Sequence, residues 1–184
     1  MPHDVLVSIA IELGYPLVLL RLCLASYRIE RTIGIEGVYS KSVVATRGIT
    51  AGSGTAATEL KLLLLPMMKL LERQWSNTLL AKVYVDDLTL IVRGSAGVVV
   101  GDLTDILNFV IEHLQGPLHM EVSKGKSTVV ASKPAIALAI AEKVINNTVK
   151  AASHAKILGA DTVGGARRCT FQLRSRRWQF RGKV

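Results

Sequence analysis

Asp86 and Asp87 are adjacent carboxylates within the string Tyr84-Val85-Asp86-Asp87. Two such groups repel each other and are costly to take out of water. A divalent cation relieves that repulsion. Mg²⁺ is commonly held by one or two carboxylates together with substrate phosphates, and Mn²⁺ is the alternative ion. That is the chemistry of nucleotidyl transfer. The string lies between two apolar runs, Leu79-Leu80-Ala81-Lys82-Val83 and Leu88-Thr89-Leu90-Ile91-Val92. Their composition predicts two short, fully buried strands with the aspartates at the hairpin tip. Asp-Asp is also a good turn dipeptide, because Asp hydrogen-bonds its own backbone.

A second candidate lies upstream. Arg47-Gly48-Ile49-Thr50-Ala51-Gly52-Ser53-Gly54 is glycine-rich and runs into a helical pattern from Thr55 to Arg73. Leu60, Leu63, Leu64, Met67, Met68 and Leu71 are spaced as one face of that helix. Glycines let backbone approach a ligand, and a helix N-terminus offers free N–H groups to an anion. A flexible loop with a capping Ser or Thr is the plainer alternative.

The order of these segments resembles the palm domain of reverse transcriptases, RNA-directed DNA polymerases of the retroelement type. In that resemblance Arg47, Gly48, Gly52 and Ser53 belong to motif B, lining the nucleotide and template pocket. Tyr84, Asp86 and Asp87 belong to motif C, with Tyr84 beside the primer end and both aspartates on the metals. His119 to Ser127 resembles motif D, which makes Lys126 a proton donor to the leaving pyrophosphate. Ile157-Leu158-Gly159 followed by Asp161 resembles motif E, which makes Leu158 and Gly159 part of a primer grip. The segment Pro2-His3-Asp4-Val5-Leu6 resembles the helix that follows motif A. The implied cofactor is Mg²⁺, or Mn²⁺. The implied partners are an RNA template, a DNA primer, deoxynucleoside triphosphates and the remainder of the polymerase.

Two departures accompany the resemblance. The motif A aspartate sits on a strand before the Pro-His segment, and the sequence opens at Met1-Pro2-His3. The chain is therefore expected to be a fragment, a mis-called start or a decayed copy. Alone it is expected to extend no primer, since a two-metal site needs carboxylates on both sides. Thr50-Ala51-Gly52-Ser53 also lacks the amide that the family often carries in motif B. An inactive remnant that keeps the fold and binds nucleic acid is the second class considered. A palm-type cyclase is a third, but its glycine-rich signature before an acidic pair is missing at Tyr84.

Composition bounds the rest. The chain has 184 residues, 49% of them hydrophobic, which suits a globular domain with a sizeable core. The apolar stretch Pro16 to Ala25 is interrupted by Arg21 and is too short for a bilayer. Cys23 and Cys169 lie far apart and form no zinc motif, which points to a reduced intracellular compartment, nucleus or cytoplasm. His3, His113, His119 and His154 have no ligand spacing. The formal net charge is +9. Arg167, Arg168, Arg174, Arg176, Arg177, Arg181 and Lys183 supply much of it, with Trp178 and Phe180 interleaved. Such a tail suits phosphates and exposed bases; a solvated disordered tail is the alternative.

The elements expected to position these residues make an α+β fold of the polymerase-palm kind, partial, with a ferredoxin-like (RRM-like) antiparallel sheet packed on helices and the motif A strand missing. Helices are expected over Asp4–Leu13, Pro16–Tyr27, Thr55–Arg73, Asp102–Leu114 and Pro134–Val144. A hairpin is expected to turn near Gly37 between 32–35 and 42–45. Strands are expected over Leu118–Val122 and Ser127–Ala131, with a last hairpin turning at Gly164-Gly165. Residues 1–165 are expected to form one palm-like domain, and 166–184 a basic tail that is either the start of the thumb or disordered.

Overall fold

The computed structural model describes residues 2–50, 52–157 and 160–162. It is a mixed α+β chain in two compact units. The first comprises residues 2–76, Leu80–Leu90 and His113–Met120. The second comprises Asn77–Leu79, Ile91–Glu112 and the described residues from Glu121 onward.

In the first unit, helix α1 (His3–Glu12) packs on α2 (Leu17–Tyr27) and α3 (Ala56–Trp75). Leu6 and Ala10 of α1 meet a core supplied by Leu20, Cys23 and Tyr27 of α2 and by Leu63, Leu64, Met67 and Leu71 of α3. Those α3 positions are the expected apolar face, with Leu60 and Met68 half-buried at its margins. Pro16 precedes the first turn of α2, where a missing N–H costs nothing. Pro66 sits inside α3, so the Leu62 carbonyl loses its usual intrahelical donor while the helix continues.

Between α2 and α3, β1 (Gly34–Ile35) pairs with β2 (Val38–Tyr39) around Glu36 and Gly37. The turn is at Gly37 as expected, but the second strand is 38–39 and not 42–45. Glu36 and Gly37 both have positive φ, the signature of a tight I′ turn that closes the hairpin early. Val43 reaches the arm only as a bridge to Arg31.

In the second unit, α4 runs from Ala96 to Gln115, one and a half turns earlier than the expected start at Asp102. The glycines and valines of 97–101 read against a helix. Ser95 overrides them: its hydroxyl accepts from the Val98 N–H (3.5 Å) and its carbonyl from the Val99 N–H (2.9 Å). β5 (Thr128–Val129) leads into α5 (Pro134–Lys143) and returns as β6 (Lys150–Ala151), parallel to β5. Ile111, Val129, Ala137, Ile140, Val144 and Val149 form the core here.

Two expected strands are corrected. Leu118 to Val122 forms no strand. The Leu118 and Met120 N–H groups return to the His113 and Leu114 carbonyls, and His119 has φ 48°, which breaks an extended run. The last hairpin pairs β7 (Ala155–Ile157) with β8 (Ala160–Thr162), joining Ile157 to Ala160, so its centre precedes Gly164-Gly165. Among the described residues there are four two-stranded sheets, one of them parallel, where one antiparallel palm sheet was expected. No helix among the described residues is long and apolar enough to cross a membrane.

Candidate functional site

Strand β3 (Leu79–Tyr84) and strand β4 (Asp87–Val92) form a hairpin closed by the two residues Val85 and Asp86. Val85 has φ 54°. Asp86 does not share the positive sign, so the φ pattern is that of a II′ turn, whose first position favours glycine. A β-branched residue there is a true outlier and carries roughly 1–3 kcal/mol of strain. Such strain clusters at functional sites.

The tip faces solvent. Tyr84 is 61% exposed, Val85 is exposed, and both carboxylates are exposed. This corrects the expectation of fully buried flanks. Leu79, Ala81 and Val83 alternate as half-buried positions with exposed Leu80, Lys82 and Tyr84. The pair is therefore not held in a dry site that would force neutralisation. Instead two accessible carboxylates offer oxygen ligands to a cation that would bring its own waters and phosphates. That fits Mg²⁺ at an open site. Among the described residues no cluster of three or more His, Cys, Asp or Glu could form a protein-only metal cage.

The glycine-rich loop is held more elaborately than its sequence suggests. Arg47 bridges Pro2. Gly48 (φ 86°) and Gly52 (φ 85°) adopt left-handed backbone, and a Cβ at either would meet nothing within 4 Å. Glycine is required there by conformation and not by crowding. His3 Nε2 lies 2.8 Å from the Gly48 carbonyl, which can only accept, so Nε2 donates. His3 Nδ1 accepts from Arg28 Nε at 3.4 Å. Arg31 Nη2 donates to Thr50 Oγ1 (2.8 Å) and to the Tyr27 carbonyl (3.2 Å).

Ser53 joins a buried polar cluster. Tyr27 Oη donates its one proton to Glu59 Oε2 (2.6 Å), and Ser53 Oγ lies 3.2 Å from the same tyrosine oxygen. Thr55 Oγ1 lies 3.0 Å from Ser53 Oγ and 3.2 Å from Cys23 Sγ. Glu59 is fully buried. Among the described residues its Oε1 has no hydrogen-bond partner, and neither has the buried hydroxyl of Tyr15. Burial, followed by the Glu59 carboxylate, pushes the Tyr27 and Tyr15 hydroxyls above their ordinary range. Burial likewise pushes the Cys23 thiol up. Sequence reasoning assigned no role to His3, Tyr27, Arg31 or Glu59. One signal was present: Glu59 continues the stripe of Leu63, Met67 and Leu71 at four-residue steps.

Two cavities open in this unit. One of about 40 Å³ lies under the loop between Tyr27, Arg31, Arg47 and Thr50. The other, about 360 Å³ and mostly apolar, runs along Asp4, Ser8 and Glu12 of α1 to His113. Neither is lined by Asp86 or Asp87.

Lys126 belongs to the second unit. It is exposed, in a turn closed by its own N–H to the Ser123 carbonyl (3.2 Å), just before β5. Leu158 and Gly159 lie outside the described residues, as do Arg167, Arg168, Arg174, Arg176, Arg177, Trp178, Arg181 and Lys183. No family model, curated protein or solved structure matches this chain at a significant level.

Proposed function

We propose that this chain is the palm-type portion of an RNA-directed DNA polymerase, performing template-directed nucleotidyl transfer. The observation that carries the reading is the hairpin tip: two exposed, adjacent carboxylates, Asp86 on a two-residue turn strained at Val85 and Asp87 at the start of the returning strand. The motif order from Arg47 to Asp87 supports it.

In this reading Asp86 and Asp87 hold Mg²⁺, or Mn²⁺, at an open site. The metal, when bound, supplies charge neutralisation of the phosphates and lowers the cost of the attacking hydroxyl's ionisation. The remaining chemistry is positioning. Tyr84 packs at the primer end. The loop from Arg47 to Ser53 lines the nucleotide and template side, kept in shape by His3, Arg31 and Tyr27. Lys126 donates a proton to the departing pyrophosphate. Leu158 and Gly159 hold the primer, and the basic residues from Arg167 to Lys183 contact phosphates with Trp178 stacking on a base. In this reading the third carboxylate of the metal site is supplied by the parent polymerase.

Primer extension on an RNA template tests this. The chain is placed in a reverse-transcriptase frame that supplies fingers, thumb and the preceding strand. Synthesis should appear with Mg²⁺ and disappear with Asp86→Asn. Synthesis indifferent to Asp86→Asn would remove the hairpin from the chemistry. A second reading, nucleic-acid binding without catalysis, is favoured by the net charge of +9.

A further inference from the structure

We propose that the small cavity under the glycine-rich loop is a binding site for one phosphoryl group, with Arg31 as its principal cation. Arg31, Arg47, Gly48, Thr50 and Tyr27 line it, and no carboxylate does. Its volume is about 40 Å³. A single water needs only about 10–15 Å³, so the space suits one tetrahedral anion.

The arginine is already oriented for this. Its Nη2 is tied to Thr50 Oγ1 and to the Tyr27 carbonyl. The two ties spend both protons of Nη2. Each bidentate face of a guanidinium includes one of those protons, so Nη1 and Nε are left to give an anion single charge-assisted bonds. Holding the guanidinium in place beforehand reduces the entropy lost on binding. Thr50 is fixed in turn by the loop, whose Gly48 carbonyl is pinned by His3 and whose Ser53 hydroxyl is pinned by Tyr27. Arg47 also lines the cavity and adds a second positive charge.

The site deepens the nucleotidyl-transfer reading and rests on it for the source of the phosphate. That source is either a nucleotide or a nucleic-acid strand; the recognition chemistry is shared. The cavity and its two cations stand without that reading.

The test is amide NMR on the full chain, titrated separately with inorganic phosphate, metal-free dTTP and a short oligothymidylate. Saturable shifts are expected at Gly48, Ile49 and Thr50. Arg31→Gln should weaken phosphate binding at least about tenfold, the loss of a charge-assisted hydrogen bond. Arg31→Lys should fall between, keeping the charge but losing the paired ties that hold it in place. If Arg31→Gln disturbs the fold, Thr50→Val serves instead, since it releases the guanidinium and should weaken binding by a smaller factor. Tighter binding of dTTP than of phosphate identifies a nucleotide source, and competition by the oligonucleotide identifies a strand. Unsaturable shifts, shifts confined to residues outside the loop, or equal affinity in Arg31→Gln would overturn the site. If the site persists while extension ignores Asp86, the polymerase reading fails and the site stands. If extension depends on Asp86 while Arg31→Gln binds phosphate normally, the site fails and the reading stands.

Discussion

Tyr27 donates its hydroxyl to Glu59 at 2.6 Å across 32 residues of sequence, and both side chains are buried. The bond ties the end of α2 to the first turn of α3. The glycine-rich loop lies between them in sequence and is tied to the same tyrosine through Ser53. A buried carboxylate is tolerated only with strong partners. The loop's shape therefore depends on a group far from the hairpin carboxylates in sequence.

Tyr27→Phe removes that donor and leaves the Glu59 carboxylate buried without it. The variant should lose about 1–3 kcal/mol in urea unfolding. It should also speed amide exchange at Gly52 and Ser53. Unchanged stability would mean that water satisfies Glu59 as well as Tyr27 does.

The same cluster sets an alkaline limit. Tyr27, Tyr15 and Cys23 all have folded-state pKa values raised above 10.0, 10.0 and 9.0, with burial the largest cause in each. Below those ordinary values both states keep their protons and the stabilisation is complete. As pH rises past them the unfolded chain loses its protons first, so stability falls. Unfolding midpoints should decline from about pH 9 upward. Glu59→Gln removes a contributor to each shift and should make the decline shallower. A stability profile flat beyond pH 10 would contradict the buried cluster. His113 works in the opposite sense. Burial lowers its pKa below 6.5, so its contribution is present above that pH and is lost on acidification.

Backbone conformation gives a paired prediction. Val85→Gly should stabilise the chain by up to about 1 kcal/mol, because glycine accepts positive φ without strain. Gly48→Ala should do the reverse by about 1–2 kcal/mol, although its Cβ would meet open space. Thermal unfolding reads both. A neutral Gly48→Ala would show that the left-handed backbone is not required there.

Much of the helical framework was legible. Gly14, Pro16, the periodic leucines of α3 and Pro134 each act locally, and local rules read them. The buried cluster was not, because its partners lie 26 to 32 residues apart and hydrogen bonding at that range leaves no periodic trace. Glu59 did leave one, as a carboxylate in register with Leu63 and Met67. The first turns of α4 were hidden because 97–101 is Gly-Val-Val-Val-Gly, whose propensity yields to a single Ser95 cap. Leu118 looked like a strand residue and instead plugs a core from a turn. At the candidate site, the aspartates were visible as residues, but the exposure of their hairpin was not. Apolar flanks alone do not distinguish a two-sided strand from a one-sided one.

The basic tail carries its own prediction. Deleting residues 166–184 should weaken binding to RNA and DNA alike and flatten the salt dependence. Every phosphate that the shortened chain leaves unneutralised should take roughly 0.7–0.9 off the log–log slope. Trp178→Ala should weaken single-strand binding more than duplex binding. An unchanged slope after the deletion would move the nucleic-acid interface elsewhere.

The central claim is that Asp86 and Asp87 hold a nucleotide-associated divalent cation beside the glycine-rich loop. Paramagnetic broadening of backbone amides by Mn²⁺, with dTTP present, measures this most directly, because it detects even weak occupancy. The account predicts broadening at Val85 to Leu88 together with Gly48 to Ser53, with the broadening at Val85 to Leu88 abolished by Asp86→Asn. Broadening centred on other carboxylates, or persisting at Val85 to Leu88 in Asp86→Asn, would contradict it.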